Sequence, residues 1–178
     1  MSISPEFRTQ LIAAIPSLRA FGMSLTARGD RADDLVQETL MKAWKHHDSF
    51  QPGTNMKAWL YTILRNEFYT QIRKRKREVE DADGVYSGRV MVPAEQDGHL
   101  DMSDLRIALD KLPADQREAV ILVGASGFSY EEAAEICSVA VGTVKSRVNR
   151  ARARLTVLLN LETGTKPNTS FEIKSLGV

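Results

Sequence analysis

Cysteine is almost missing from this chain, which has one, Cys137, among 178 residues. A lone thiol forms no intramolecular disulfide, and beside only three histidines it leaves no plausible four-ligand zinc site. The composition fits a reducing compartment. Long apolar runs are missing as well: no uncharged stretch approaches the ~20 residues that span a bilayer. The opening Met1-Ser2-Ile3-Ser4-Pro5-Glu6 has neither the basic nor the apolar part of a secretion signal. The expectation is a cytoplasmic protein without membrane association. Glycine and proline are too sparse for a collagen-like or low-complexity chain. Phosphate-cradling glycine loops are absent, Cys137 has no flanking motif, and His46-His47-Asp48 is too compact for a catalytic triad and lacks a nucleophile. The chain therefore reads as a non-enzyme with no cofactor, no metal and no small-molecule substrate.

An excess of charge of one sign is the last thing lacking, since 24 Lys and Arg face 23 Asp and Glu for a net +1. That excludes a whole-molecule electrostatic argument for nucleic acid, but the charges are sorted into blocks. From Tyr61 to Arg77, Arg65, Arg73, Lys74, Arg75, Lys76 and Arg77 oppose Glu67 alone, a balance of +5. From Glu78 to Asp104, eight acids oppose Arg89, a balance of −7. From Val141 to Arg154, Lys145, Arg147, Arg150, Arg152 and Arg154 face no acid, again +5. The acidic block also carries Gly84, Gly88, Pro93 and Gly98 without a sustained period, which reads as a flexible acidic linker over 78–100. It divides the chain into two small domains, 1–77 and 101–161, and 162–178 reads as a loose tail.

Every strong period is helical, so the expected fold class is all-α. Ser4-Pro5 signals a helix start, and Pro16 suggests that a second helix opens after a short first one. Asp30 and Asp33 stand at the head of a segment whose Ala32, Leu35, Val36, Leu40, Ala43 and Trp44 form a buried stripe. After a turn at 48–53, Trp59, Leu60, Ile63, Leu64, Phe68 and Ile72 mark a long amphipathic helix that runs into the first basic block. In the second half, Asp101 with Asp104 caps a helix bearing Leu105, Ala108 and Leu109, and Leu112-Pro113 ends it and opens another. Ser129 and Glu132 have capping-box spacing ahead of Ala133, Ala134 and Ile136. A break at 137–140 then leads into a helix buried through Val144, Val148, Ala151, Leu155 and Leu158. A short capped helix, a tight turn and a longer basic helix are the layout of a helix-turn-helix.

That last helix sets Lys145, Ser146, Asn149, Arg150 and Ala153 opposite its apolar stripe. Arg and Lys can reach guanine O6 and N7 and Asn can pair with adenine, while Arg147, Arg152 and Arg154 suit phosphates. The Arg73 to Arg77 cluster continues a helix with Trp59, Tyr61, Phe68 and Tyr69, so stacking groups adjoin a charged track, as single-stranded nucleic acid requires. Trp59 and Phe68 read as core, and Tyr61 and Tyr69 as the freer rings.

Asp33-Asp34-Leu35-Val36-Gln37-Glu38-Thr39, Trp59-Leu60-Tyr61 with Arg65-Asn66, Leu112-Pro113 with Arg117-Glu118, and Phe128 to Ala134 with Val141 to Arg147 together resemble an extracytoplasmic-function (ECF) sigma factor of the sigma-70 family. The likeness runs in order over roughly residues 5 to 160. Gly124-Ala125-Ser126-Gly127-Phe128 further resembles the EcfG-like general-stress-response group. The resemblance implies a subunit that binds bacterial core RNA polymerase and directs it to promoter DNA, with an anti-sigma factor as a further partner. By the same resemblance Asp34, Gln37 and Glu38 meet polymerase. Phe50, Tyr61, Arg65, Asn66, Arg73, Lys74, Arg75, Lys76 and Arg77 serve the minus-10 element, and Thr143, Lys145, Ser146, Arg147, Asn149, Arg150 and Arg152 the minus-35 element. Two departures stand out: Ser138 replaces the family's usual turn glycine, and Val123 stands where many members carry a basic residue. The alternative is a sigma-like mimic that sequesters an anti-sigma factor without touching DNA, but such a module would have lost the two basic helices that this chain keeps.

Overall fold

In the computed structural model the described residues are 4–81 and 102–162. They form helices only: α1 (Pro5–Thr26), α2 (Gly29–Lys45), a 3-10 turn (His47–Ser49), α3 (Met56–Asp81), α4 (Met102–Asp110), α5 (Ala114–Val120) continued by one π turn (Ile121–Ala125), α6 (Tyr130–Cys137) and α7 (Val141–Glu162). The expected linker begins later than its composition suggests, because α3 runs on through Asp81; its remainder, and the tail beyond Glu162, lie outside the described residues.

Helix α1 opens as its sequence predicts, with the Ser4 hydroxyl accepting from the Phe7 N–H at 3.1 Å and Pro5 in the first turn. It does not break at Pro16. The ring removes one backbone donor, yet Leu11, Ala14, Leu18, Phe21 and Leu25 stay on one buried stripe across it, and that packing outweighs the local cost. The helix ends where Ala27 turns left-handed at φ 56°. Helix α2 crosses α1 closely at Gly22, where an added Cβ would already lie 3.5 Å from Ala32. Neither Asp30 nor Asp33 caps α2: Asp30 pairs with Arg28, and Asp33 reaches across to Arg19 at 2.6 Å. Lys42 on α2 pairs with Glu67 on α3, closing the three-helix unit.

The second unit wraps α4, α5 and α6 around α7, whose buried residues are Val144, Val148 and Ala151. The expected capping box is present: the Ser129 hydroxyl accepts from the Glu132 N–H at 3.0 Å, and the Glu132 carboxylate accepts from the Ser129 N–H at 2.9 Å. Helix α6 holds Cys137 as its last residue, so the break is one residue shorter than expected, and Ser138 is left-handed at φ 55°. The two units are packed together, α3 against α6 and α1 against α5, and their buried residues merge into one core.

Candidate polymerase and nucleic-acid interfaces

The apolar stripe of α2 decides what α2 can offer a partner. Ala32, Leu35, Val36 and Ala43 face inward, and Thr39 joins them by donating its hydroxyl to the Leu35 carbonyl at 2.7 Å. Asp34, Gln37 and Glu38 are left exposed on the opposite face. Asp33, one position away, is instead held by Arg19, whose hydrogen bond draws the carboxyl below its ordinary range. Trp44 was expected inside and is 43% exposed; with Ile12 and Met41, also exposed, it rims an open apolar groove against Leu11, Ile15 and Leu40. Three- and four-residue spacing placed Trp44 on the buried stripe, but α1 covers it only in part, with the Arg8 guanidinium 5.8 Å over its ring.

The expected single-strand surface is less open than its sequence suggests. Phe50 follows the 3-10 turn and is half-buried against Phe7 and Trp59, with ring centroids 5.9 and 5.3 Å away. Tyr61, read as one of the freer rings, is 1% exposed: it stacks on Phe21 at 4.6 Å and its hydroxyl donates to the Ser17 carbonyl at 3.0 Å. Ile72 reverses in the other direction and lies exposed. Asn66 and Arg73 to Arg77 are exposed on the same helix, so part of the track remains open.

Arg65 is engaged on the far side of the seam. Its Nε donates to Glu118 Oε1 at 2.7 Å, and its guanidinium lies 4.7 Å over the Tyr69 ring. Burial pulls the Arg65 pKa down, but the adjoining Glu118 charge and hydrogen bond outweigh it, leaving the guanidinium above its ordinary value. The Glu118 side chain is 1% exposed and its other oxygen accepts from Cys137 Sγ at 3.7 Å. Burial, reinforced by the Glu118 charge, pushes the Cys137 thiol up to about 12, so it is an inert packing group. Around this pair Asn55 donates to Glu132 at 2.7 Å while its side-chain oxygen caps α3, and Lys57 donates to the Ser126 carbonyl at 2.7 Å beneath the Tyr61 and Phe128 rings. Sequence reading named Glu118 only as part of the family motif Arg117-Glu118, without a partner, and did not single out Asn55 or Lys57. An acid directly before the apolar run 119–123 was the available signal, but its partner lies 53 positions away.

Helix α7 presents the face its period predicts. Lys145, Asn149, Arg150 and Arg152 are exposed, and Thr143, Ser146 and Arg147 are half-buried. Ser146 donates its hydroxyl to the Thr143 carbonyl, and Arg147 pairs with Asp115 at 3.3 Å, which anchors α7 to α5. Lys145 Nζ lies 5.7 Å over the Tyr130 ring. Among the described residues no cluster of His, Cys, Asp or Glu could hold a metal, and no helix is long and apolar enough to cross a membrane.

Residues 11–78 match sigma-70 region 2 and residues 103–155 match sigma-70 region 4. The chain is 60% identical over 162 residues to the ECF RNA polymerase sigma factor EcfG of Rhodopseudomonas palustris, covering 91% of this chain and 90% of that one. Among solved structures it resembles the sigma factor RpoE of Bartonella quintana, crystallised with the anti-sigma factor NepR, at 58% identity and a TM-score of 0.78 over 89% of this chain and 99% of that one. It also resembles CnrH in complex with the cytosolic domain of CnrY, at 26% identity and a TM-score of 0.64 over 88% of each chain. With both regions in order, and that identity over nearly the whole length, the chain belongs to the ECF sigma factors of the sigma-70 family, in the EcfG-like subgroup.

Proposed function

We propose that this protein is the promoter-specificity subunit of a stress-response RNA polymerase, acting in the cytoplasm by binding rather than by catalysis. One observation carries the reading furthest: α7 holds exposed Lys145, Asn149 and Arg150 opposite a fully buried Val144, Val148, Ala151 stripe, behind a boxed α6 and a tight turn. This arrangement can lay donors along a major groove while the rest of the unit stays rigid. The exposed Asp34, Gln37 and Glu38 strip supplies a polar face for core polymerase, since none of the three is needed for the α2 core. Asn66 and the Arg73 to Arg77 track remain available to a melted minus-10 strand, with Phe50 at its border. The likeness to RpoE in complex with NepR supports an anti-sigma factor as the restraining partner. A mimic that never touches DNA would have no use for the exposed basic face of α7.

The test is selection of promoter DNA by core polymerase reconstituted with this chain. Enrichment of a two-part element, lost on Glu38→Lys with Gln37→Ala while the helical content stays intact, is the expected result. Selection that returns no sequence preference, or polymerase affinity equal in wild type and the double variant, overturns the respective assignment.

A further inference from the structure

We infer that Arg65 and Glu118 form a buried ionic latch that holds the two units of the free protein together, and that this latch competes with promoter DNA for Arg65. The inference rests on the sigma-factor reading for its DNA partner, but the latch itself is a statement about the free chain. Three kinds of contact meet at the seam: an aromatic run from Phe21 through Tyr61 to Phe128, with centroid separations of 4.6 and 4.9 Å; the hydrogen bonds Asn55–Glu132 and Lys57–Ser126, each with one charged partner; and, among the described residues, one buried pair of opposite charges, Arg65–Glu118. The first two give closure its fit. The third makes it conditional.

A buried ion pair adds little net stability, because desolvation of both charges offsets their attraction, but removing one partner leaves the other buried and unpaired. Glu118, with a side chain 1% exposed, has Arg65 as its cationic partner, with the Tyr69 hydroxyl and the Cys137 thiol as further, uncharged donors. Closure therefore depends on Arg65 staying with Glu118. A DNA phosphate offers the same guanidinium an equivalent anion, with the same charge-assisted geometry and access to solvent. In the closed form the Arg65 side chain is only 16% exposed, too little for a phosphate to reach its remaining N–H groups, so DNA contact at Arg65 and closure at Glu118 exclude each other, and binding must shift the population toward the open form. Separation also frees Asn55 and Lys57 at the foot of α3, next to the loop that carries Phe50. Glu118 thus occupies, within the chain, the place of the phosphate.

The experiment uses the full chain. Glu118→Gln keeps the shape and one acceptor but leaves the Arg65 charge unmatched in the closed form. Its radius of gyration by small-angle scattering should rise, and the free chain should bind a single-stranded minus-10 oligonucleotide on the order of tenfold more tightly than wild type. Wild-type compactness, or opening without a gain in oligonucleotide affinity, overturns the proposal. A second arm leaves Glu118 untouched: Asn55→Cys with Glu132→Cys in a Cys137→Ser background, joined by a short bifunctional maleimide, should lose promoter-directed transcription with core polymerase. The same variant blocked with a monofunctional maleimide should transcribe. Equal transcription from cross-linked and blocked protein also overturns the latch. If the blocked protein and wild type both fail to transcribe, the sigma-factor reading is at fault, while the scattering comparison still decides the latch.

Discussion

The two basic regions differ in what surrounds them rather than in charge. Along α7, Lys145, Asn149, Arg150 and Arg152 face solvent while the packing is completed by residues of the same unit. Along the first half of α3, Tyr61 and Arg65 are absorbed into the seam with the second unit, and only Asn66 and the far end of the track are open. Groove contact with a duplex needs only side chains on one face of one helix. A strand-binding surface on the first half of α3 would need rings and charges open to solvent, and here Tyr61 and Arg65 are covered by the second unit. Equal charge in the sequence thus corresponds to unequal availability in the structure.

The largest effect that would sharpen this contrast is in the cores. Leu64→Ala in α3 should cost about 2–5 kcal/mol, because the residue is fully buried where α3 packs into the first unit. Denaturation monitored by helical signal should show the loss. If the units behave as one cooperative body, second-unit signals shift along with it, whereas an unshifted second unit breaks the picture of a merged core.

Next in size is the separation of reading from positioning on α7. Arg150→Ala should cost about 1–3 kcal/mol at one promoter position and leave others alone, while Arg152→Ala should weaken all sequences alike and flatten the salt dependence. Binding of duplex minus-35 variants at several salt concentrations measures both. Uniform loss from Arg150→Ala would remove it from the readers.

A smaller comparison sets the two left-handed caps side by side. Ala27 ends α1 at φ 56° and Ser138 ends α6 at φ 55°, and neither is the glycine that such a position favours. Ala27→Gly and Ser138→Gly should each stabilise the protein by about 1 kcal/mol or less, read as a rise in the thermal midpoint. A fall at Ser138 alone would mean that its side chain makes a stabilising contact in the turn.

The smallest effect concerns pH. The Ser129 N–H and Asn55 amide hydrogen-bond to the Glu132 carboxylate and hold its pKa below the ordinary 4.5. Because the folded value is depressed, the associated stability is fully present above the unfolded value and is lost as pH falls through the folded one. Thermal midpoints of wild type and Glu132→Gln should therefore converge as the pH is lowered from about 6 to about 3, with a small difference because solvent screens this carboxylate. Parallel curves would show that its charge contributes nothing to the cap.

Much of the architecture was legible in the residues. The Ser4-Pro5 start, the Ser129 and Glu132 box and the α7 stripe are local signals, in which a side chain satisfies a backbone group within three or four residues or repeats at the helical period. Pro16 misled because its local cost was outweighed by a buried stripe contributed by other helices. The π turn at 121–125 carried no signal in the apolar pattern, and Trp44 obeyed that pattern yet is only partly covered, by Arg8 over its ring.

By itself, the sequence determined the helical class, the two units, the exposed strip on α2 and the exposed basic face of α7, since each follows from composition or from spacing along a single helix. Only the tertiary structure decided that Tyr61 is buried, that Phe50 leans on Phe7 and Trp59, and that Arg65 meets Glu118. Those outcomes depend on which surfaces of two units come together, and residues 53 positions apart leave no periodic trace of their meeting.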